Sequence, residues 1–356
     1  MRKNTKTTAF ILIFVLLLAL FAGCKDSPAP TQPATSSDSA ARTETADSKS
    51  AGTTAPESKP ADTEAEPTDR DGIHPMLFHV SDGNGREAYL FGTIHVGDER
   101  IYTVLDKLTP YLDDCSALAV EYDVLAYEND FAAQMQGIQY FLLKDGTKAS
   151  DHMPKELFEK ASALLREAGV NPQIMEPYNT SWWSQLVEQA ALMTRTDFNA
   201  EIGMDRTLIR HCNDKKIEVR DVESAAFQYE LLAGFSDELN LLMIESTLEN
   251  LDEYRAGIDE LYNGWLEGDC DKLTALLSGE MDLEGEDMSE EEQALLADYY
   301  DKLLTRRNLG MRDKALEWLE AGDKVFFAVG AAHLVDEGGL VELLRAAGYT
   351  VEQISY

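Results

Sequence analysis

Two segments place the same residue types at the same spacing: Gly92-Thr93-Ile94-His95 near the start of the folded part and Gly330-Ala331-Ala332-His333 near its end. Each follows an apolar run that reads as a β-strand. A lone histidine after a strand is usually a hydrogen-bonded structural residue, so the repetition is what points to chemistry. In an open α/β sheet, ligands lie beyond the carboxyl ends of the strands, where glycine lets the backbone turn and approach closely. Glu121 follows the short apolar run Leu118-Ala119-Val120, and Glu223 closes Arg220-Asp221-Val222-Glu223, so two carboxylates could stand on the same rim. In so acidic a chain either could equally be a solvated loop acid. Two neutral imidazoles and one carboxylate suit a divalent cation with positions left open for water, which such an ion acidifies toward neutrality. The adjacent histidine and glutamate spacing of zincins is absent, which leaves manganese, cobalt and zinc all open.

These groups need a sheet to carry them. Leu77-Phe78-His79-Val80 and Ala88-Tyr89-Leu90-Phe91 flank Asp82-Gly83-Asn84-Gly85, whose residues tolerate positive φ, and the pair reads as a β-hairpin. Further strands are expected at 118–120, 217–222, 325–329 and, as an alternating edge strand, 349–354. Helices are expected over 101–115, over 154–168 with Gly169 closing the end, and through 181–194, 205–212, 225–262 and 290–306. A last helical face formed by Leu340, Leu344 and Ala347 ends at Gly348. Strands separated by helices predict an α/β fold: a central, mostly parallel or mixed sheet covered on both faces, with a large helical insertion. Trp182 and Trp183 read as core.

The chain begins with Arg2, Lys3 and Lys6, continues in an unbroken apolar run from Ala9 to Ala22, and reaches Cys24 after Gly23. The pattern is that of a signal peptide over residues 1–23, too short to be a comfortable transmembrane helix. Phe21-Ala22-Gly23-Cys24 resembles a bacterial lipobox, with Phe where Leu is usual. That resemblance implies cleavage before Cys24 and acylation of its thiol, which would place the protein on a lipid bilayer at the extracytoplasmic face. Residues 24–70 are rich in Pro, Ser, Thr and Ala and poor in large apolar side chains, the composition of a disordered tether. Residues 71–356 are long enough for one large domain. With 65 acidic against 31 basic side chains the surface repels phosphate backbones, so nucleic acid is excluded as a natural partner. Cys115, Cys212 and Cys270 are too few and too scattered to define a disulfide framework.

Taken in order, Leu90-Phe91-Gly92-Thr93-Ile94-His95-Val96, Ala119-Val120-Glu121-Tyr122-Asp123, Gly203-Met204-Asp205-Arg206, Arg307-Asn308 and Val329-Gly330-Ala331-Ala332-His333-Leu334 resemble the motifs of the TraB/GumN family. The resemblance spans nearly the whole folded part. Ala332 stands where a Gly is common, and Asp221-Val222-Glu223-Ser224 replaces a usual Leu-Glu-Thr. The family implies a fold related to the haem-binding ChaN protein and to erythromycin esterase, and its animal Tiki relatives are membrane-tethered metalloproteases. Carried over residue by residue, it implies a site built from His95, Glu121, His333 and the pair Arg307-Asn308.

The expected activity is hydrolysis of a peptide or protein substrate by a divalent metal ion held by His95, His333 and Glu121. Glu223 is the expected proton acceptor, and Arg307 the cation for developing oxyanion charge. Arg307 could instead form an ion pair at a helix boundary, and Asn308 could cap a helix over 309–320. A different class competes with the hydrolase: the same crevice could sequester a pheromone-like peptide, or haem, without turning anything over.

Overall fold

The computed structural model describes residues 72–281 and 288–355; the signal segment, Cys24 and the tether lie outside the described residues. In chain order the elements are β1 (Leu77–Ser81), β2 (Glu87–Thr93), α1 (Arg100–Leu112), β3 (Ala117–Val120), α2 (Val124–Asn129), α3 (Phe131–Ile138), α4 (Lys155–Glu167), α5 (Pro172–Met175), α6 (Thr180–Arg195), α7 (Met204–Lys215), β4 (Glu218–Asp221), α8 (Ala225–Ala233), α9 (Asp237–Glu249), α10 (Leu251–Glu267), α11 (Cys270–Met281), α12 (Glu290–Tyr300), α13 (Arg306–Ala321), β5 (Val325–Gly330), α14 (Leu340–Ala346) and β6 (Thr350–Gln353). Among the described residues no helix is long and apolar enough to cross a membrane.

The six strands form one mixed sheet in the order β4-β3-β5-β2-β1-β6. The pairs β4/β3, β3/β5 and β5/β2 are parallel. The hairpin β1/β2 and the edge pair β1/β6 are antiparallel. Pairing follows from side-chain alternation along the strands. Tyr89, Phe91 and Phe326 point to one face, where they meet Tyr111 of α1 and Trp265 of α10. Ala88, Leu90 and Phe327 point to the other, against Ala315, Trp318 and Leu319 of α13 and Leu344 of α14. Helices therefore cover both faces, as the pattern of the sequence predicts.

A second core forms among the helices inserted between β3 and β5. It gathers Phe141, Leu164, Leu165, Trp182, Trp183, Tyr229 and Ile244 around α6. Trp182 and Trp183 are buried there. The expected continuous helical stretch over 225–262 is instead three helices. Ser236 accepts a hydrogen bond from Leu239 N and starts α9, and Asn250 closes α9 and opens α10. Cys115, Cys212 and Cys270 are free thiols.

Candidate functional site

The four parallel strands run out at one edge of the sheet, β3 and β4 two positions before β2 and β5. Thr93 stands opposite Gly330, and Val120 stands between Ala328 and Asp221. His95, Glu121, Glu223 and His333 all follow within three residues of those ends, so the expected rim exists. Backbone pairing extends past it, with Glu223 N donating to Glu121 O at 2.8 Å.

Gly330 is the pivot of the arrangement. A β-carbon built there would lie 3.3 Å from Glu121 Oε1, 3.7 Å from His333 Cδ2 and 3.9 Å from His95 Nε2. Three side chains from three strand ends thus converge on the space that a larger residue would fill. Gly330 N donates to Glu121 Oε1 at 2.9 Å, and that same oxygen lies 3.8 Å from His333 Nε2.

Each imidazole is locked by a partner behind it. Asn308 Nδ2 donates to Gly338 O at 2.9 Å, which turns Asn308 Oδ1 toward His333 Nδ1 at 2.6 Å. A carbonyl oxygen only accepts, so Nδ1 carries the proton and Nε2 faces Glu121 as a lone pair. His95 Nδ1 meets Asp205 Oδ2 at 2.8 Å, while Thr93 Oγ1 donates to Asp205 Oδ1 at 2.7 Å. Asp205 sits in the first turn of α7, whose start docks tightly on the exit of β2. Met204 N donates to Ile94 O, and a β-carbon at Gly203 would lie only 2.1 Å from His95 O. Only glycine permits that approach.

The electrostatics of the two histidines diverge. Burial disfavours charge on His95, but the Asp205 carboxylate, with Glu121 behind it, outweighs burial and raises its pKa to about 9. Burial and then the nearby Arg307 guanidinium push His333 down to about 3, against the pull of Glu121. Burial works against ionised Glu121 as well, yet Arg307 foremost holds it well below the usual carboxylate range.

Arg307 is almost wholly buried between two carboxylates. Its Nη2 donates to Glu121 Oε2 at 2.6 Å and to Glu223 Oε2 at 2.7 Å, its Nε to Glu223 Oε1 at 2.9 Å, and its Nη1 to Leu303 O at 3.3 Å. The ion-pair reading of Arg307 thus describes its geometry, with its donors committed to two carboxylates and a backbone carbonyl of the fold. Glu223 in turn accepts from Arg307 and from Gln228 Nε2. Asn308 does not cap a helix at 309: α13 already begins at Arg306, continuous with a π-helical turn over Asp301–Thr305, and Asn308 lies buried inside it.

Two site residues were given no role by sequence reasoning. Asp205 belonged to a quoted motif without a part assigned to it. Gln228 carried no signal, because an amide becomes informative only when its partners are known; it donates to both Glu121 and Glu223.

The donor types, two imidazoles and a carboxylate, are ones a divalent cation takes. His333 directs Nε2 toward Glu121, His95 Nε2 borders the space beside Gly330, and each ring has Nδ1 held by an oxygen, the usual outer-shell support of a metal-binding histidine. Among the described residues no group of three or more His, Cys, Asp or Glu side chains is placed so that it could hold a metal ion.

The fold and the rim define an α/β protein with an imidazole and carboxylate site at the carboxyl edge of its sheet. Residues 76–353 match the TraB/PrgY/gumN family, and the chain belongs to that family. It is similar to the uncharacterized protein YbaP of Shigella flexneri and to that of Escherichia coli strain K12. Each is 26% identical over 260 residues, which cover 73% of this chain and 88% of the relative. No solved structure matches.

Proposed function

We propose that this family member is a metal-dependent hydrolase, acting on peptides or proteins from the extracytoplasmic face of a membrane to which acylated Cys24 anchors it. The convergence of His95, Glu121 and His333 on Gly330 carries the reading. His95 Nε2, His333 Nε2 and Glu121 Oε1 would hold the ion, and manganese, cobalt and zinc all suit such a donor set. Once bound, a divalent ion polarises an acyl carbonyl and acidifies water.

Charge balance supports a cation. Glu121, Glu223 and Asp205 set three carboxylates against one permanent positive charge, Arg307. Arg307 takes the part of a clamp: it neutralises the pair of carboxylates and keeps Glu121 ionised. Glu223, engaged by Arg307 and Gln228, shares that clamp in place of proton transfer. Asp205 and Asn308 hold the two rings from behind, and His95 is the more exposed of them.

The test is hydrolysis of a random peptide pool by the purified protein, stripped of metal and then supplied with manganese, cobalt or zinc. Cleavage that needs the metal and disappears in His95→Ala and His333→Ala is expected. Stoichiometric retention of intact peptide would instead establish sequestration, and a Soret band on haem addition would establish haem binding.

A further inference from the structure

Gln228 sits between the two carboxylates of the site and is 1% exposed. Its Nε2 donates to Glu121 Oε2 at 2.9 Å and to Glu223 Oε2 at 2.8 Å. Those contacts fix the orientation of the amide, since the flipped form would turn its oxygen against two carboxylates. The consequence is that Gln228 Oε1 is buried with no hydrogen-bond partner. Orphaned buried acceptors are uncommon because leaving one unmade is costly. An apolar side chain of the same shape would avoid the orphan. What it would lack is the pair of N–H groups.

We propose that Gln228 is a positioning residue: its amide nitrogen spaces Glu121 and Glu223 around the single charge of Arg307 and so holds Glu121 Oε1 toward His333 and the space that His95 Nε2 also borders. Arg307 alone does not fix this geometry. Its Nη2 bonds both carboxylates, but its Nε also chelates Glu223, so the guanidinium is held more firmly by Glu223 than by Glu121. Gln228 supplies the second donor to Glu121 Oε2, on the carboxylate whose other oxygen faces His333. The residue rides on α8, which begins where Ser224 accepts from Phe227 N, just after the end of β4. The helix thereby reads the position of one strand end and passes it to another.

The assignment rests on the metal-site reading for its functional consequence but not for its geometry, and the test separates the two. Histidine-specific 15N NMR resolves six imidazoles in the full chain. In metal-free Gln228→Leu, the His95 and His333 resonances should move while those of His74, His79, His152 and His211 stay. Manganese affinity, measured by equilibrium dialysis, should fall ~10–100-fold, the usual effect of losing an outer-shell partner. Gln228→Glu, which sets a third carboxylate where the amide donated to two, should shift the same two resonances. If His95 and His333 do not respond in either folded variant, the assignment is overturned. A wild-type protein that binds no manganese, cobalt or zinc while both resonances still respond would remove the metal reading and leave Gln228 in its positioning role.

Discussion

Asn308 Oδ1 lies 2.6 Å from His333 Nδ1, and this contact decides which nitrogen of a buried ring faces Glu121. Because an amide oxygen cannot donate, His333 is held as the tautomer with a free Nε2. Asn308→Leu should leave Nδ1–H buried without a partner, costing about 1–3 kcal/mol of stability. Metal affinity should fall ~10–100-fold. Urea denaturation and metal dialysis check the two effects separately.

Asp205 plays the corresponding part for His95, but as a charge. In Asp205→Asn the carboxylate that outweighs burial is gone, so the His95 pKa should drop from about 9 to about 6.5 or below. An NMR titration of the His95 ring reads this directly.

The two histidines also give stability opposite pH limbs. The folded pKa of His95 is raised, so its contribution is complete below about 6.5 and is lost as pH rises through about 9. His333 stays neutral in the fold to about 3 while an unfolded chain takes up the proton near 6.5. Stability therefore declines as pH falls between those values. Glu121, held low, adds a further acid loss below its ordinary value of 4.5. Each shifted group contributes a slope of up to about 1.4 kcal/mol per pH unit. Denaturation across a pH series should show a maximum near neutrality, with His95→Asn flattening the alkaline limb and His333→Asn the acid limb.

Arg307→Met should be the most damaging single change at the site. It strands Glu121 and Glu223 in the interior without their cation, a loss of about 3–5 kcal/mol. Arg307→Lys should recover only part of it, since an ammonium cannot reproduce the planar fork that meets both carboxylates. Denaturation midpoints at pH 7 check both.

Much of this was legible in the sequence, and the limits have physical causes. The strand ends were readable because apolar runs stop at Gly92, Glu121 and Gly330, and the repeated glycine and histidine spacing marked two of them. The convergence of His95 and His333 needs β5 to insert between β2 and β3, a pairing that alternation along a strand does not encode. Gln228 and the true partner of Asn308 were hidden for a related reason: amides bond whatever the fold brings to them. The breaks inside 225–262 went unseen because apolar spacing continues across Ser236 and Asn250, with no proline to interrupt it.

Gly330→Ala tests the convergence without altering any charge. The added methyl would sit 3.3 Å from Glu121 Oε1, closer than ordinary contact, and would occupy the space the three donors share. Metal affinity should fall at least ~10-fold, with a thermal midpoint close to that of the unaltered protein.

Anomalous diffraction from crystals soaked in manganese tests the shared ion most directly. A single peak is expected within about 2.0–2.3 Å of His95 Nε2, His333 Nε2 and Glu121 Oε1, metal-ligand distances. Manganese bound elsewhere, with these three side chains left in contact only with one another, would contradict the account.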